Sequence, residues 1–175
     1  MIADGEKLSP RSQFYYAREL FFNNYIDQSI HAFSKFLAEG KGWVENNIEA
    51  CLNLSKCYQI QKEDNKALSV LFGSFVYDLP RGEILYEIGN IYLTNEDYKK
   101  AIYYFSLALN SKPNLNSGGF VNIDCYTFLP ALQLCLCYNR IGDNLNALHY
   151  HEIAKAFKPN DKSVKHNEKY FNSLN

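Results

Sequence analysis

Five cysteines and four histidines are the side chains of this chain best suited to nucleophilic or metal chemistry. The cysteines are Cys51, Cys57, Cys125, Cys135 and Cys137. They are odd in number, and no two have the two-residue gap of a zinc knuckle or a redox dithiol. Such a set reads as small apolar fillers in a reduced compartment. His149 and His151 straddle one residue, so on a helix they point to different faces and make a poor metal pair. His151 instead reads as a neutral imidazole packed between helices. Asp124-Cys125-Tyr126 carries a thiol with no general base beside it, so a small enzyme using Cys125 is only a remote alternative. The chain lacks a Gly-rich phosphate loop, G-x-S-x-G, H-E-x-x-H and D-x-D. No catalytic residue, metal set or cofactor follows from these residues, and the chemistry left to them is binding.

The elements that would position a binding surface are helical. Hydrophobic residues make up 47% of the 175 and aromatics 15%, with only 9 glycines and 5 prolines to break helices. The 18 basic residues are offset by 19 acidic ones, which excludes the polybasic footprint of a nucleic-acid or membrane-surface protein. No apolar stretch approaches the roughly 18 residues of a membrane span. The opening Met1-Ile2-Ala3-Asp4-Gly5-Glu6-Lys7 has no apolar core of a signal peptide. A cytoplasmic location is the expectation. Periodicity and punctuation predict helices near 10–23, 26–39, 43–61, 65–77, 81–94, 97–111, 129–141, 144–157 and 161–173. Pro10, Pro80 and Pro130 fit helix starts, Pro113 and Pro159 lie past helix ends, and Asp97, Asp143 and Asp161 fit N-caps.

Those helices repeat. Leu85, Ile88, Gly89, Tyr92, Tyr98, Ala101, Phe105, Ala108 and Pro113 stand at the spacing W-x2-L-G-x2-Y…A-x3-F…P, with only the tryptophan slot changed. Further copies run through Leu54, Ser55, Tyr58, Ala67, Leu71 and Ser74, and through Leu134, Cys135, Tyr138, Gly142, Ala147, His151, Ala154 and Pro159. A weaker first copy has Tyr16, Ala17, Leu20, Ser29, Phe33 and Phe36, with Lys41 in place of proline. Small residues at such spacing let two antiparallel helices approach, while large ones fill the space beside them. The pattern resembles the tetratricopeptide repeat. It implies an all-α, right-handed helical solenoid of four helix pairs within one domain, 1–175, with repeats at 10–41, 48–80, 82–113 and 128–159. A capping helix at 161–173 would follow, with Val164, Phe171 and Leu174 apolar and Lys162, Lys165 and Lys169 in water. The whole series Lys155, Lys158, Lys162, Lys165 and Lys169 reads as a solvated stripe.

Positions of each first helix not used by the packing pattern should form the concave binding face. These are Arg11, Tyr15 and Arg18; Asn53, Lys56 and Gln59; Glu83, Tyr86, Glu87 and Asn90; and Gln133, Asn139 and Arg140. Interleaved Tyr, Arg and Asn suit a protein or peptide partner, with a second copy of the chain also a candidate. The clamp by which chaperone-binding tetratricopeptide domains hold a C-terminal carboxylate does not carry over, because Glu83 and Glu87 would repel it. Between the third and fourth copies the repeat lengthens to 46 residues from a usual 34 or so. The insertion, 114–128, holds Phe120, Val121, Ile123, Tyr126 and Phe128, too much apolar surface for a solvated loop. It should pack: either over the groove, bringing Asp124 and Tyr126 to a ligand, or against a second copy or a catalytic domain.

A narrower resemblance rests on Ser12-Gln13-Phe14-Tyr15-Tyr16-Ala17-Arg18-Glu19-Leu20, Glu39-Gly40-Lys41-Gly42-Trp43-Val44-Glu45, Gly119-Phe120-Val121 and Leu132-Gln133-Leu134-Cys135-Leu136-Cys137-Tyr138. These runs resemble the tetratricopeptide segment that follows a family 2 glycosyltransferase domain in some bacterial proteins. The resemblance implies an accessory role in acceptor binding or assembly, with transferase chemistry in a D-x-D-bearing domain preceding Met1. The alternative is a free-standing cytoplasmic tetratricopeptide adaptor.

Overall fold

The computed structural model describes residues 8–173. Among them are nine α-helices and no strand: α1 (Pro10–Phe22), α2 (Ile26–Glu39), α3 (Val44–Ile60), α4 (Asp64–Gly73), α5 (Gly82–Thr94), α6 (Tyr98–Asn110), α7 (Phe128–Arg140), α8 (Asn144–Phe157) and α9 (Lys162–Asn172). Each helix lies within a few residues of its predicted span. The largest departure is in the predicted helix 65–77, whose end tightens into a 3-10 turn at Ser74–Val76. Met1–Lys7 and Leu174, the last member of the expected apolar stripe, lie outside the described residues.

Local chemistry sets the helix ends. Ser9 Oγ accepts from the Ser12 N–H at 3.1 Å, and Pro10 opens α1 where its missing N–H costs nothing. Asp97, Asp143 and Asp161 cap α6, α8 and α9, accepting from the main chain of Lys100, Asn146 and Ser163. Pro130 stands third in α7 rather than first, still within the turn whose N–H groups have no helical acceptor. The first helix of every repeat ends alike. Asn24, Lys62, Glu96 and Gly142 take positive φ (62°, 61°, 57° and 79°). The next residue's N–H then returns to the carbonyl of Leu20, Tyr58, Tyr92 or Tyr138 at 2.9 Å. This left-handed turn satisfies the terminal carbonyls and sends the chain back antiparallel.

The contacts divide into two compact units, and the boundary falls between the second and third repeats. One unit is the chain up to Leu79 with Ser117–Gly119; the other is Pro80–Asn116 with Phe120 onward. In the first, α1 packs on α2 and α3, α2 on α3, and α3 on α4. Its core joins Phe14, Ala17, Phe33, Phe36, Ala50 and Leu54. In the second, α5, α6, α7, α8 and α9 pack each on the next. Ala101, Phe105, Leu134 and Cys137 form one cluster there, and Phe128, Ala131, Ala154 and Val164 another.

Repeat register is visible in what is buried. The small residues Ser29, Ala67, Ala101 and Ala147 are all fully buried, and so are Phe33, Leu71, Phe105 and His151 one helical turn later. Ser29 is tolerated because its hydroxyl donates to the Ala17 carbonyl at 3.0 Å. The lysine just before the small residue lies over the tyrosine of the paired first helix: Lys66 over Tyr58 at 5.6 Å and Lys100 over Tyr92 at 5.0 Å. In the third and fourth repeats a second tyrosine stacks on that ring, Tyr104 on Tyr92 and Tyr150 on Tyr138, with centroids 5.6 and 5.4 Å apart. On α9, Val164 and Phe171 are buried while Lys162, Lys165 and Lys169 are exposed. Lys155 and Lys158 depart from the solvated stripe: Lys155 bonds Glu168 at 2.5 Å, and Lys158 pairs with Asp124 beneath the Phe128 ring.

Candidate functional site

In the first unit, α1 presents Arg11, Tyr15 and Arg18. The Arg18 guanidinium lies 4.6 Å from the Tyr15 ring centroid and 3.6 Å from Glu49 Oε1 on α3. Arg11 lies 5.7 Å from the same ring. On α3, Lys56 and Gln59 are half-buried, but Asn53 is only 6% exposed. Helix α3 is enclosed by α1, α2 and α4, which leaves little of its circumference to solvent. Asn53 therefore stands in the interior rather than on an open face.

In the second unit, Tyr86, Glu87 and Asn90 are half-buried along α5. The Tyr86 ring rests on Phe105 at 5.6 Å, and its hydroxyl accepts from Gln133 Nε2 on α7 at 3.4 Å. Asn139 Nδ2 donates to the Tyr170 hydroxyl of α9 at 3.0 Å, while Arg140 is exposed. Glu83 is committed inside the fold. Its Oε1 accepts from the Asn122 N–H at 2.7 Å and its Oε2 from the Tyr126 hydroxyl at 2.6 Å. Burial, then the Glu83 carboxylate, raise the Tyr126 pKa well above that of an ordinary phenol.

The insertion is thus held by polar anchors as well as apolar packing. Residues Ile123–Tyr126 form a 3-10 turn against α5, α6 and α7, with Cys125 and Tyr126 buried. Phe120 and Ile123 depart from the expectation that the five large apolar groups all pack, since they are 87% and 44% exposed. The tip, Ser117–Gly119, belongs to the first unit, where Gly118 backs onto the Trp43 ring and Gly119 sits against Glu45.

The cysteines are buried and unbridged. Desolvation pushes Cys51 and Cys137 up to about 12 and Cys135 to about 11, so these thiols stay protonated and unreactive. His151 is buried against the Phe171 ring at 5.2 Å, and desolvation lowers its pKa. Its Nδ1 has no hydrogen-bond partner among the described residues, an arrangement that only a neutral imidazole tolerates.

One feature was only partly identified from sequence, through Arg11 and Tyr15. A cleft of about 480 Å³ opens between the starts of α1 and α3, lined by Ser9, Pro10, Arg11, Tyr15, Trp43 and Asn46. Its sequence signal is slight: the chain's single tryptophan, at a helix boundary where packing does not demand one.

No family model and no curated protein matches the chain. Solved structures do. MamA shares 24% identity at a TM-score of 0.62, over 82% of this chain and 74% of that one. PilW, described as a widely conserved type IV pilus biogenesis factor, shares 19% at 0.70, over 90% and 66%. YrrB, described as a TPR protein with an unusual peptide-binding site, shares 14% at 0.52, over 92% of each chain. The fold is that of the tetratricopeptide-repeat proteins. In tetratricopeptide terms, α1, α3, α5 and α7 are the first helices of four pairs, and α9 caps the last pair. Among the described residues, no helix is long and apolar enough to cross a membrane.

Proposed function

We propose that this protein is a tetratricopeptide module that binds a protein or peptide through the open faces of its first helices. The observation that carries this reading is how those faces are built. Polar and aromatic groups pair sideways between consecutive first helices: Arg18 with Glu49, and Tyr86 with Gln133. At 3.6 and 3.4 Å these contacts are long, so a ligand can replace either neighbour at small cost. YrrB, described as having a peptide-binding site, is consistent with such use of the fold.

The wider setting we favour is a cytoplasmic, accessory role beside a family 2 glycosyltransferase domain, in acceptor binding or assembly. The sequence runs around Tyr15, Trp43, Phe120 and Cys135 support it. A free-standing adaptor is the second reading, favoured by the solved structures above, none of which is described as a glycosyltransferase. A D-x-D-bearing domain in the same reading frame upstream of Met1 would decide for the first.

Selection of a displayed random-peptide library on the purified protein tests the module itself. Peptides so enriched should bind the variant Arg18→Ala, Tyr86→Ala, Asn90→Ala at least tenfold more weakly, about 1.4 kcal/mol, with helical circular dichroism unchanged. Unchanged affinity would move the binding surface off these three positions.

A further inference from the structure

We infer that the cleft between the starts of α1 and α3 is a recognition site for an acidic peptide segment that carries an aromatic or prolyl side chain beside a carboxylate. This rests on the peptide-binding reading and narrows it to one place and one ligand chemistry.

The walls supply the apolar half of the argument. Trp43 is 53% exposed and Tyr15 is 37% exposed, and both line the same cleft. Two rings and an arginine lining one recess have the composition that dominates binding energy at interfaces. The indole is also held in place. Gly118 has a φ of +77°, and a Cβ built there would meet Trp43 Cη2 and Cζ2 at 3.5 Å, so the insertion tip packs beside the benzo end of the ring. A ring already fixed loses little side-chain freedom when a ligand arrives.

Charge supplies the other half. Arg11 is the single charged side chain of the lining. Two helical turns further along α1, Arg18 has Glu49 as its counter-ion at 3.6 Å, whereas among the described residues no carboxylate pairs with Arg11. Stacked 5.7 Å from Tyr15, the Arg11 guanidinium keeps its donors for a carboxylate from outside, which it can hold with two parallel hydrogen bonds. Ser9 Oγ is already used on the Ser12 N–H, which leaves the Asn46 amide to meet a peptide main chain with one donor and one acceptor. A neutral sugar could stack on Trp43 and Tyr15, but it would leave the Arg11 charge unanswered. The cleft volume of about 480 Å³ suits a few side chains, not a folded partner.

Trp43 is the only tryptophan, so its fluorescence reports on this site alone. The probes are a short tryptophan-free peptide with a Tyr-Pro pair between glutamates, the same peptide with glutamines, and a neutral β-linked oligosaccharide. The acidic peptide should shift Trp43 emission to the blue with saturation. The glutamine analogue should bind at least about tenfold more weakly. Arg11→Gln lies on an exposed helix position and should keep its circular dichroism while bringing the two peptides to equal affinity. Equal affinities on the parent protein, or a shift given by the oligosaccharide and not by the acidic peptide, would overturn the assignment. Calorimetric binding of the acidic peptide with Trp43 emission unmoved would place it elsewhere, ending this inference and leaving the peptide-module reading intact. A peptide library that yields no binder would remove both.

Discussion

Replacing Gly89 by alanine should destabilise the protein, although alanine is the better helix former. In a free helix interior the exchange gains about 1 kcal/mol. At Gly89 the new Cβ would stand 2.6 Å from Phe105 Cε1 and 2.7 Å from Cδ1, whereas non-bonded carbons rest at roughly 3.5–4.0 Å. The Phe105 ring is fully buried and lies against Tyr86 with centroids 5.6 Å apart, so it cannot swing clear. Helices α5 and α6 must part instead, and overpacking of this kind costs about 1–3 kcal/mol. With no mobile partner to absorb the strain, the upper part of that range applies, and the net loss should be about 1–2 kcal/mol. Gly73→Ala is the internal control. Gly73 ends α4 in helical conformation (φ −59°, ψ −26°) and has nothing within 4 Å of an added Cβ. There the exchange should stabilise by about 0.4–1 kcal/mol. Urea unfolding followed by circular dichroism should show opposite signs for the two variants. Thermal melts should separate by several degrees, at about 2–4 °C per kcal/mol for a chain of this size. A Gly89→Ala variant as stable as the parent would refute the close approach of α5 and α6, and the repeat register with it.

Glu83→Ala should free the insertion, because it removes both acceptors that hold Asn122 and Tyr126. Bonds to a charged group contribute about 1.5–3 kcal/mol, so amide exchange over residues 122–126 should accelerate clearly, with Glu83→Gln in between. Unchanged exchange there would show that apolar packing alone holds the segment. His151 should make stability depend on pH. Burial lowers its pKa in the fold, so the unfolded chain binds the extra proton, and stability is complete above about 6.5 and falls as pH drops below it. Glu152, Lys155 and Glu168 are the charged groups that act on it. His151→Phe should remove this part of the acid dependence in denaturation curves taken from about pH 7 down to pH 5. An identical slope in the variant would assign that dependence to other groups.

The repeat was legible because its signals are short-range and recur. A small residue near the start of each second helix and a large one a turn later are what two antiparallel helices need to touch. Asp97, Asp143 and Asp161 were legible for the same reason, since a cap acts within three residues. The left-handed turn residues were not. Gly142 announces the turn, but Asn24, Lys62 and Glu96 hold the same conformation with side chains that carry little or no such signal. There the antiparallel packing of the flanking helices imposes a φ that the residue itself disfavours.

The candidate surface divides along the same line. The sequence by itself determined four helix pairs, a capping helix and a polar, aromatic set on the first helices, since helical periodicity decides which residues share a face. Only the tertiary structure decided which members of that set are already spent. Glu83 is consumed by Asn122 and Tyr126, 39 and 43 residues further on, and Asn53 is enclosed by three neighbouring helices. Trp43 enters the proposed cleft for the same reason: Ser9–Tyr15 and Gly118 are brought near it by folding. Periodicity reports the face a residue occupies on its own helix, whereas its partners are set by how separate helices and loops come together.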